Sequence, residues 1–284
     1  MSTVRHRSPV RIALGRVGQP VLAIVLMVAL LGVPFWVVIA TAGKSLTEAQ
    51  RPNITPPTDW SQFLVNVGTV FTDGEMVSAF LGTVLLVVPS VVLVLVLGSA
   101  ASWVLARRKG RGISFLYALA ISGLVLPPAV VTIVLLLQML GLAGTAVGMI
   151  GVYVGMYLST AIFFMTGFIR TIPHELEEAA RVDGAGPFRV FARVIFPLLG
   201  PTIATATILI TLFIWNDVFY ALFVIGGRMD TLPLNLYQVA SAGLYLNNWH
   251  LIFAYVILMS IPLLVVFVVM QRRIISGVTS GAVK

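Results

Sequence analysis

Long apolar stretches alternate with short polar connections along the chain, and this pattern predicts six membrane-spanning segments. A helix rises about 1.5 Å per residue, so roughly 20 apolar residues cross the ~30 Å hydrocarbon core of a bilayer. We therefore expect an all-α integral membrane protein, whose spans lie near 21–42, 78–105, 114–140, 144–168, 201–225 and 250–270.

The composition supports this interpretation. Of the 284 residues, 59% are hydrophobic and 10% are charged, and the mean hydropathy is +1.03. A soluble domain of this length cannot bury so many apolar residues, because the ratio of surface to volume decreases only slowly as a chain becomes longer. The sequence has no cysteine, which excludes disulfides and any metal site or nucleophile built on cysteine.

The basic residues lie almost entirely on one side of the predicted spans. Fifteen of the 18 precede the first span, join the second to the third or the fourth to the fifth, or follow the sixth. Cytoplasmic connections carry an excess of Lys and Arg, so we expect both termini in the cytoplasm. The net charge of +8 is thus a signal of topology, and no nucleic-acid partner is expected. The predicted parts are an N-terminal segment over 1–20, a membrane domain over 21–273 and a tail over 274–284.

Two short patterns near the N-terminus suggest other functions and are set aside. Basic residues, an apolar run and "ATA" at 40–42 resemble a cleavable signal peptide, but the apolar run exceeds the usual ~7–15 residues. Its length favours a retained span. "GKS" at 43–45 matches the end of a phosphate-binding loop, yet that loop needs a glycine where Val38 stands.

A polar segment over 171–200 interrupts the apolar pattern. Pro173 suits the first turn of a helix, and the three glutamates within 175–178 favour a helix start through the helix dipole. Gly184 follows where this helix should end, and we expect it to be left-handed. A second helix should begin at Pro187, and its apolar face is formed by Phe188, Phe191, Ala192 and Ile195.

This pattern predicts two short helices joined at a glycine and lying at the membrane surface. Small alanines beside a glycine bend also suit docking into a groove of another protein, where bulky side chains prevent close approach. A plain amphipathic surface loop is the alternative, and the residues alone leave both interpretations open.

The same segment carries a resemblance to a family. "EAARVDGAGPFRVFARVIFPLLGP" resembles the EAA loop of ABC importer permeases, and the matching residues are Glu178, Ala179, Ala180, Asp183, Gly184, Ala185, Phe191, Ile195, Pro197 and Pro201. Four further stretches look like the second permease of the carbohydrate branch, the maltose-transporter type. They are "ASWVLARRKGRG" (101–112), "WNDVFYAL" (215–222), "TLPLNL" (231–236) and "QRRIISGVTSGAVK" (271–284).

The resemblance implies the permease fold of type I ABC importers and a transport subunit rather than an enzyme. It implies a second homologous permease, an ABC ATPase dimer and an extracytoplasmic sugar-binding protein as partners, in a bacterial or archaeal plasma membrane. It implies no cofactor in this chain, since ATP and Mg would be bound by the partner ATPase. The coupling residues that it implies are Glu178, Ala179, Ala180, Asp183, Gly184, Ala185 and Pro197.

Asn216 and Asp217 are the polar pair that stands out most clearly within a predicted span. An ionisable group there costs ~2.5–3.5 kcal/mol on insertion scales, so it usually faces a cavity or a partner. The pair either lines the pathway or makes interhelical hydrogen bonds that fix the fifth span. The second interpretation is favoured for Asp217, because the family pattern around it is not specific to one sugar.

Two functional alternatives remain beside a sugar importer. The first is an ABC importer for a non-sugar solute such as glycerol phosphate. The second is a secondary transporter driven by an ion gradient, which predicts buried charge relays. Asp217 is the only charge deep in any predicted span, and this disfavours the second alternative.

Overall fold

The computed structural model describes residues 19–126, 128–241 and 247–282, without the side chains of 272–282. Every regular element in these ranges is a helix, which confirms the all-α prediction. Most of the predicted N-terminal segment and the side chains of the predicted tail lie outside the described residues. The helices are α1 Gln19–Ala42, α2 Ser61–Asp73, α3 Met76–Arg107, α4 Arg111–Ser122, α5 Val130–Met139, α6 Ala146–Ile169, α7 Glu175–Val182, α8 Pro187–Leu198, α9 Gly200–Trp215, α10 Phe219–Val224, α11 Leu232–Ser241 and α12 Trp249–Ala282.

The chain forms two compact units, Met1–Gly74 with Val239–Leu258 and Glu75–Gln238 with Met259–Lys284. In the first unit, Lys44 follows α1 and is only 1% exposed. Its ammonium donates to Asn53 Oδ1 at 2.5 Å and to Thr55 Oγ1 at 3.2 Å. The amide of Asn66 donates to the main-chain oxygens of Ala42 and Lys44. The lysine of "GKS" therefore holds its own loop together.

The second unit is built around close packing of α3 against α6. A Cβ added to Gly98 would lie 2.8 Å from the Cβ of Ala161, so only a glycine allows the two helices to approach this closely. Ser102 is buried and donates from Oγ to the main-chain oxygen of Ile162 at 3.3 Å. Small residues at a helix contact are typical of membrane proteins, where van der Waals packing drives association.

The N-terminal part of α3 holds the connection before α11. A Cβ on Gly82 would lie 2.0 Å from the main-chain oxygen of Asp230, so the connection passes directly over this glycine. The hydroxyl of Thr83 accepts a hydrogen bond from the main-chain N–H of Leu232 at 2.8 Å. The "TLPLNL" stretch singled out in the sequence is therefore fixed to α3.

The third predicted span is not one helix. The segment 114–140 contains α4 and α5, and residues 123–126 and 128–129 between them are non-helical. Pro128 has no N–H to donate, so a helix cannot continue through it without losing a hydrogen bond. A Cβ on Gly123 would lie 2.4 Å from Ser159 Oγ, which places this glycine directly against α6. This arrangement corrects the expectation of an uninterrupted third span.

The fifth predicted span is also interrupted. It begins as expected with α9, which ends at Trp215, and residues 216–218 separate α9 from the short helix α10. By length and composition, four described helices can cross a membrane, and the number is five if α8 and α9, which are bent by 73° relative to each other, are counted as one broken span. The remaining apolar helices of ten or more residues are α4 and α5.

We expect Gly98→Leu to destabilise the protein by about 1–3 kcal/mol, because the new side chain overfills the contact between α3 and α6. Thermal unfolding of the detergent-purified chain measures the effect. Gly167→Leu is the matched control, since Gly167 also lies in a helix and an added Cβ there meets nothing within 4 Å. Equal shifts for the two variants would contradict the packing role of Gly98.

Candidate functional site

The polar segment 171–200, hereafter the coupling segment, folds as two short helices that meet at a glycine. The first is α7, which has three glutamates in its first turn and Arg181 in its last turn. After it, Gly184 has φ of +80°, as the sequence predicted. The N–H of Gly184 donates to the oxygen of Arg181 at 3.0 Å, and the N–H of Ala185 donates to the oxygen of Ala180 at 2.9 Å. These two bonds form a Schellman motif, which requires the left-handed residue.

The second helix, α8, begins at Pro187 as predicted and contains a π-helical turn over Phe191–Ile195. Its predicted apolar face is split in the structure. Phe191 and Ile195 lie inward, and Ile195 is buried with Ile169 and Leu199. Phe188 and Ala192 are exposed. The π-helical turn departs from the 3.6-residue repeat on which the predicted face depends.

The strongest polar contacts of the coupling segment converge on Glu177, whose side chain is 2% exposed. Arg107 donates from Nε to its Oε1 at 2.5 Å, and Trp103 donates from Nε1 to its Oε2 at 3.1 Å. Arg181 also reaches Oε2, at 3.5 Å, from a side chain that is 58% exposed. We call Glu177, Arg107 and Trp103 the Glu177 network. It joins α7 to the C-terminal turns of α3.

Arg107 and Trp103 each make a second contact with the coupling segment. Arg107 donates from Nη2 to the main-chain oxygen of Ile172 at 2.9 Å, in the turn that leads into α7. The ring of Trp103 packs on Phe191 of α8 with a centroid separation of 5.7 Å. The end of α3 therefore contacts the turn before α7, α7 itself and α8.

Sequence reasoning missed this network, because it counted Glu177 only among the glutamates that favour the start of a helix. One signal was present. Trp103 and Arg107 are four residues apart and thus share a helix face, within the "ASWVLARRKGRG" stretch that carries part of the family resemblance. The partner glutamate lies 70 residues further along the chain, and no helical spacing indicates a contact across that separation.

The implied coupling residues lie mainly at the surface. Glu178, Ala179, Asp183, Gly184 and Pro197 are exposed, whereas Ala180 and Ala185 are half-buried. Large apolar side chains lie among them. Val182 is 88% exposed, Phe188 is 83% exposed and Leu176 is 45% exposed. Exposed apolar groups rimmed by polar residues are typical of a protein interaction surface.

Asp217 lies between α9 and α10 and accepts three hydrogen bonds. Tyr153 of α6 donates its hydroxyl to Oδ2 at 2.8 Å. The main-chain N–H groups of Tyr220 and Ala221 donate to Oδ1 and Oδ2 at 3.1 and 3.0 Å, at the start of α10. The carboxylate thus makes the interhelical bond of the favoured interpretation. Asn216 is exposed, and its amide donates to the oxygen of Leu212 at 2.8 Å.

Aromatic side chains connect this site to the interruption of the third span. Tyr157 of α6 stacks on Phe213 of α9, with ring centroids 5.8 Å apart and planes inclined by 7°. The hydroxyl of Tyr220 donates to the main-chain oxygen of Pro128 at 3.4 Å. A cavity of about 360 Å³ lies beside Tyr157 and is lined in part by residues 123–126. We call residues 123–126, 128–129 and 216–218 the break region.

Comparison with known proteins identifies the class of this chain. The family of binding-protein-dependent transport system inner membrane components matches residues 95–280. The melibiose/raffinose/stachyose import permease protein MelC of Bacillus subtilis is 34% identical over 260 residues, which cover 89% of this chain and 91% of MelC. The diacetylchitobiose uptake system permease protein NgcG of Streptomyces coelicolor is 32% identical over 257 residues, which cover 88% of this chain and 83% of NgcG.

A solved structure supports the same fold. The crystal structure of a bacterial ABC transporter that imports the acidic polysaccharide alginate contains a chain that matches with a TM-score of 0.77 and 22% identity. The match covers 95% of this chain and 99% of the other. The chain described here therefore belongs to the family of binding-protein-dependent transport system inner membrane components. It is a permease subunit of an ABC importer and not an enzyme, which confirms the resemblance seen in the sequence.

Proposed function

We propose that this chain is one of two permease subunits of an ABC importer for a carbohydrate, which is a mono- or oligosaccharide or a related polyol. The observation that supports the substrate class is the similarity over almost the whole chain to permeases named for melibiose, raffinose, stachyose and diacetylchitobiose. A second homologous permease completes the pathway, and an extracytoplasmic binding protein delivers the sugar. A gradient-driven secondary transporter is not favoured, because the chain belongs to a binding-protein-dependent family.

The coupling segment is the proposed contact with the ATPase dimer. Val182 and Phe188 are apolar and exposed, so a partner that covers them removes apolar area from water. Ala179 and Ala180 allow close approach to a groove, and Glu178 supplies a polar contact beside them. Asp183, Gly184 and Ala185 form the bend. Pro197 lies near the end of α8. ATP and Mg bind to the ATPase, and we assign no cofactor to this chain.

The coupling segment and both termini face the cytoplasm in this proposal. The basic residues between α3 and α4 and in the coupling segment support this orientation, since cytoplasmic connections carry the excess of Lys and Arg. The complex then lies in a bacterial or archaeal plasma membrane, with the binding protein on the opposite face.

The break region is the proposed surface toward the pathway and the second permease. Non-helical backbone is tolerated at membrane depth only where protein covers it or where it lines a water-filled cavity. Val125 is 82% exposed and Leu126 is 65% exposed, so the chain alone does not cover this backbone. Asn216 is exposed in the same region and is the proposed polar contact in the pathway. Asp217 fixes α10 and α6 through its hydrogen bonds.

Co-purification tests the proposed function directly. The tagged chain is isolated from its native cells in mild detergent, and accompanying proteins are identified by mass spectrometry. We expect a second permease and an ATPase with a phosphate-binding loop, and we expect ATP-dependent uptake of a sugar after reconstitution with the binding protein. A chain that purifies alone and catalyses gradient-driven uptake would contradict the proposal.

We expect Gly184→Leu to reduce uptake while the chain still inserts at its normal level. A left-handed conformation costs a branched residue ~1–2 kcal/mol, so the bend between α7 and α8 should change. Gly186→Leu is the matched control. Both glycines have open space around an added Cβ, but Gly186 has φ of −68°. Uptake is measured at equal protein level, and normal uptake by Gly184→Leu would show that the bend is not needed.

We expect Asp217→Asn to retain uptake with an unchanged KM, because the amide oxygen still accepts hydrogen bonds from Tyr153 and from the start of α10. Asp217→Ala loses these bonds to a charged group and should lower stability by roughly 1.5–3 kcal/mol. Uptake kinetics and thermal unfolding are measured for both variants. An altered KM in Asp217→Asn at native stability would assign the charge to the pathway.

A further inference from the structure

We propose that Arg107 and Trp103, acting through Glu177, are positioning residues that make the coupling segment and α3 move as one body. The proposal rests on the function given above, in which the coupling segment contacts the ATPase. It adds the route by which displacement of α7 reaches a membrane-spanning helix that is not its neighbour in the chain.

The covalent connections of α7 do not provide this route. The preceding turn joins α7 to α6, and the bend at Gly184 joins it to α8. An added Cβ at Gly184 meets nothing within 4 Å, so no neighbouring group packs against this side of the glycine. An ion pair between Arg107 and Glu177 joins α7 to α3, a helix that is distant from α7 in the sequence.

The chemistry of the Glu177 network suits positioning better than it suits stability. Burying a carboxylate and a guanidinium costs desolvation free energy, and a well-packed apolar pair is often as stable or more stable. Directed hydrogen bonds do what apolar contacts do not, because each fixes a distance and an angle. Glu177 receives such bonds from two donors on α3, and Arg107 gives another to Ile172.

Trp103 extends the same constraint to the second helix of the coupling segment. Its N–H bonds to Glu177, while its ring packs on Phe191 of α8. The two helices on either side of the Gly184 bend are therefore both held by one side chain of α3. Displacement of either helix changes a contact with Trp103.

The α3 helix can carry such a displacement into the membrane, as far as its contact with α6. It has 32 residues and is thus about 48 Å long. Its C-terminal turn contains Arg107, its middle packs on α6 at Gly98, and its N-terminal part bonds to Leu232 through Thr83. No proline lies between Arg107 and Gly98, so this part of the helix passes a shift at its C-terminal turn to the contact with α6, whereas Pro89 lies between Gly98 and Thr83.

The test uses the whole transporter, co-purified with its partners and reconstituted with the binding protein. The readout is sugar taken up per ATP hydrolysed, which a purely structural role does not change in correctly assembled complexes. We expect Arg107→Met to lower this ratio at least about fivefold, the low end of typical coupling between sites. Arg108→Met is the matched control, since Arg108 is the exposed neighbour, and it should keep the native ratio.

The double variant Arg107→Met/Glu177→Met separates positioning from stability. It leaves no unpaired buried charge, so assembly with the ATPase should recover relative to either single variant. If the network only stabilises, the uptake ratio should recover as well. If it positions α7 on α3, the ratio should stay low despite normal assembly. A native ratio in the double variant would overturn the proposal.

Trp103→Phe tests the proposal independently if the methionine variants do not assemble. It removes the indole N–H together with the five-membered ring, and it retains one aromatic ring that can contact Phe191. We expect a lowered ratio at native assembly, and a native ratio would count against the proposal. Failure of the proposed function is distinguishable from failure of this proposal, because in that case no ATPase would co-purify with the native chain.

Discussion

The need to pair every main-chain N–H and C=O inside a bilayer is the constraint on which this structure depends. It explains why the described elements are all helices. It also means that the interruptions of the third and fifth predicted spans need other hydrogen-bond partners. Residues 123–126 and 128–129 leave helical pairing within an apolar stretch, and residues 216–218 leave it at the polar pair Asn216 and Asp217. The carboxylate of Asp217 satisfies two of the freed N–H groups, and Tyr220 bonds to the oxygen of Pro128. The first interruption is therefore satisfied in part by a side chain of α10, and the second in part by its own carboxylate.

The second unit is organised along α3. Glycines and a serine along α3 allow helix α6 and the connection before α11 to lie directly against it, whereas its C-terminal turn presents Trp103 and Arg107. The chemistry changes with position along the helix. Contacts in the middle are made by small residues, as is typical within a membrane. The contact at the C-terminal end is an ion pair with directed hydrogen bonds, which suits a helix end near the polar surface.

The coupling segment has two faces with different roles, and neither role requires enzymatic chemistry in the chain. The exposed face of the coupling segment carries apolar and small side chains, and its buried face carries Glu177. The first face suits a partner, and the second attaches the segment to α3. The division follows from helical geometry, because Glu177 and Glu178 are adjacent in sequence and lie about 100° apart around α7.

The sequence by itself determined the class of protein, the helical fold, the glycine bend and the helix start at Pro187. These depend on local patterns, namely apolar length, proline and glycine positions, and a dense motif over 178–201. Only the tertiary structure decided the rest. The division of the third span was not predicted, because apolar length alone does not report where main-chain hydrogen bonds are lost. The role of Glu177 depends on Arg107, 70 residues away, and such a contact is set by how α3 and α7 pack, which no helical period in the sequence encodes.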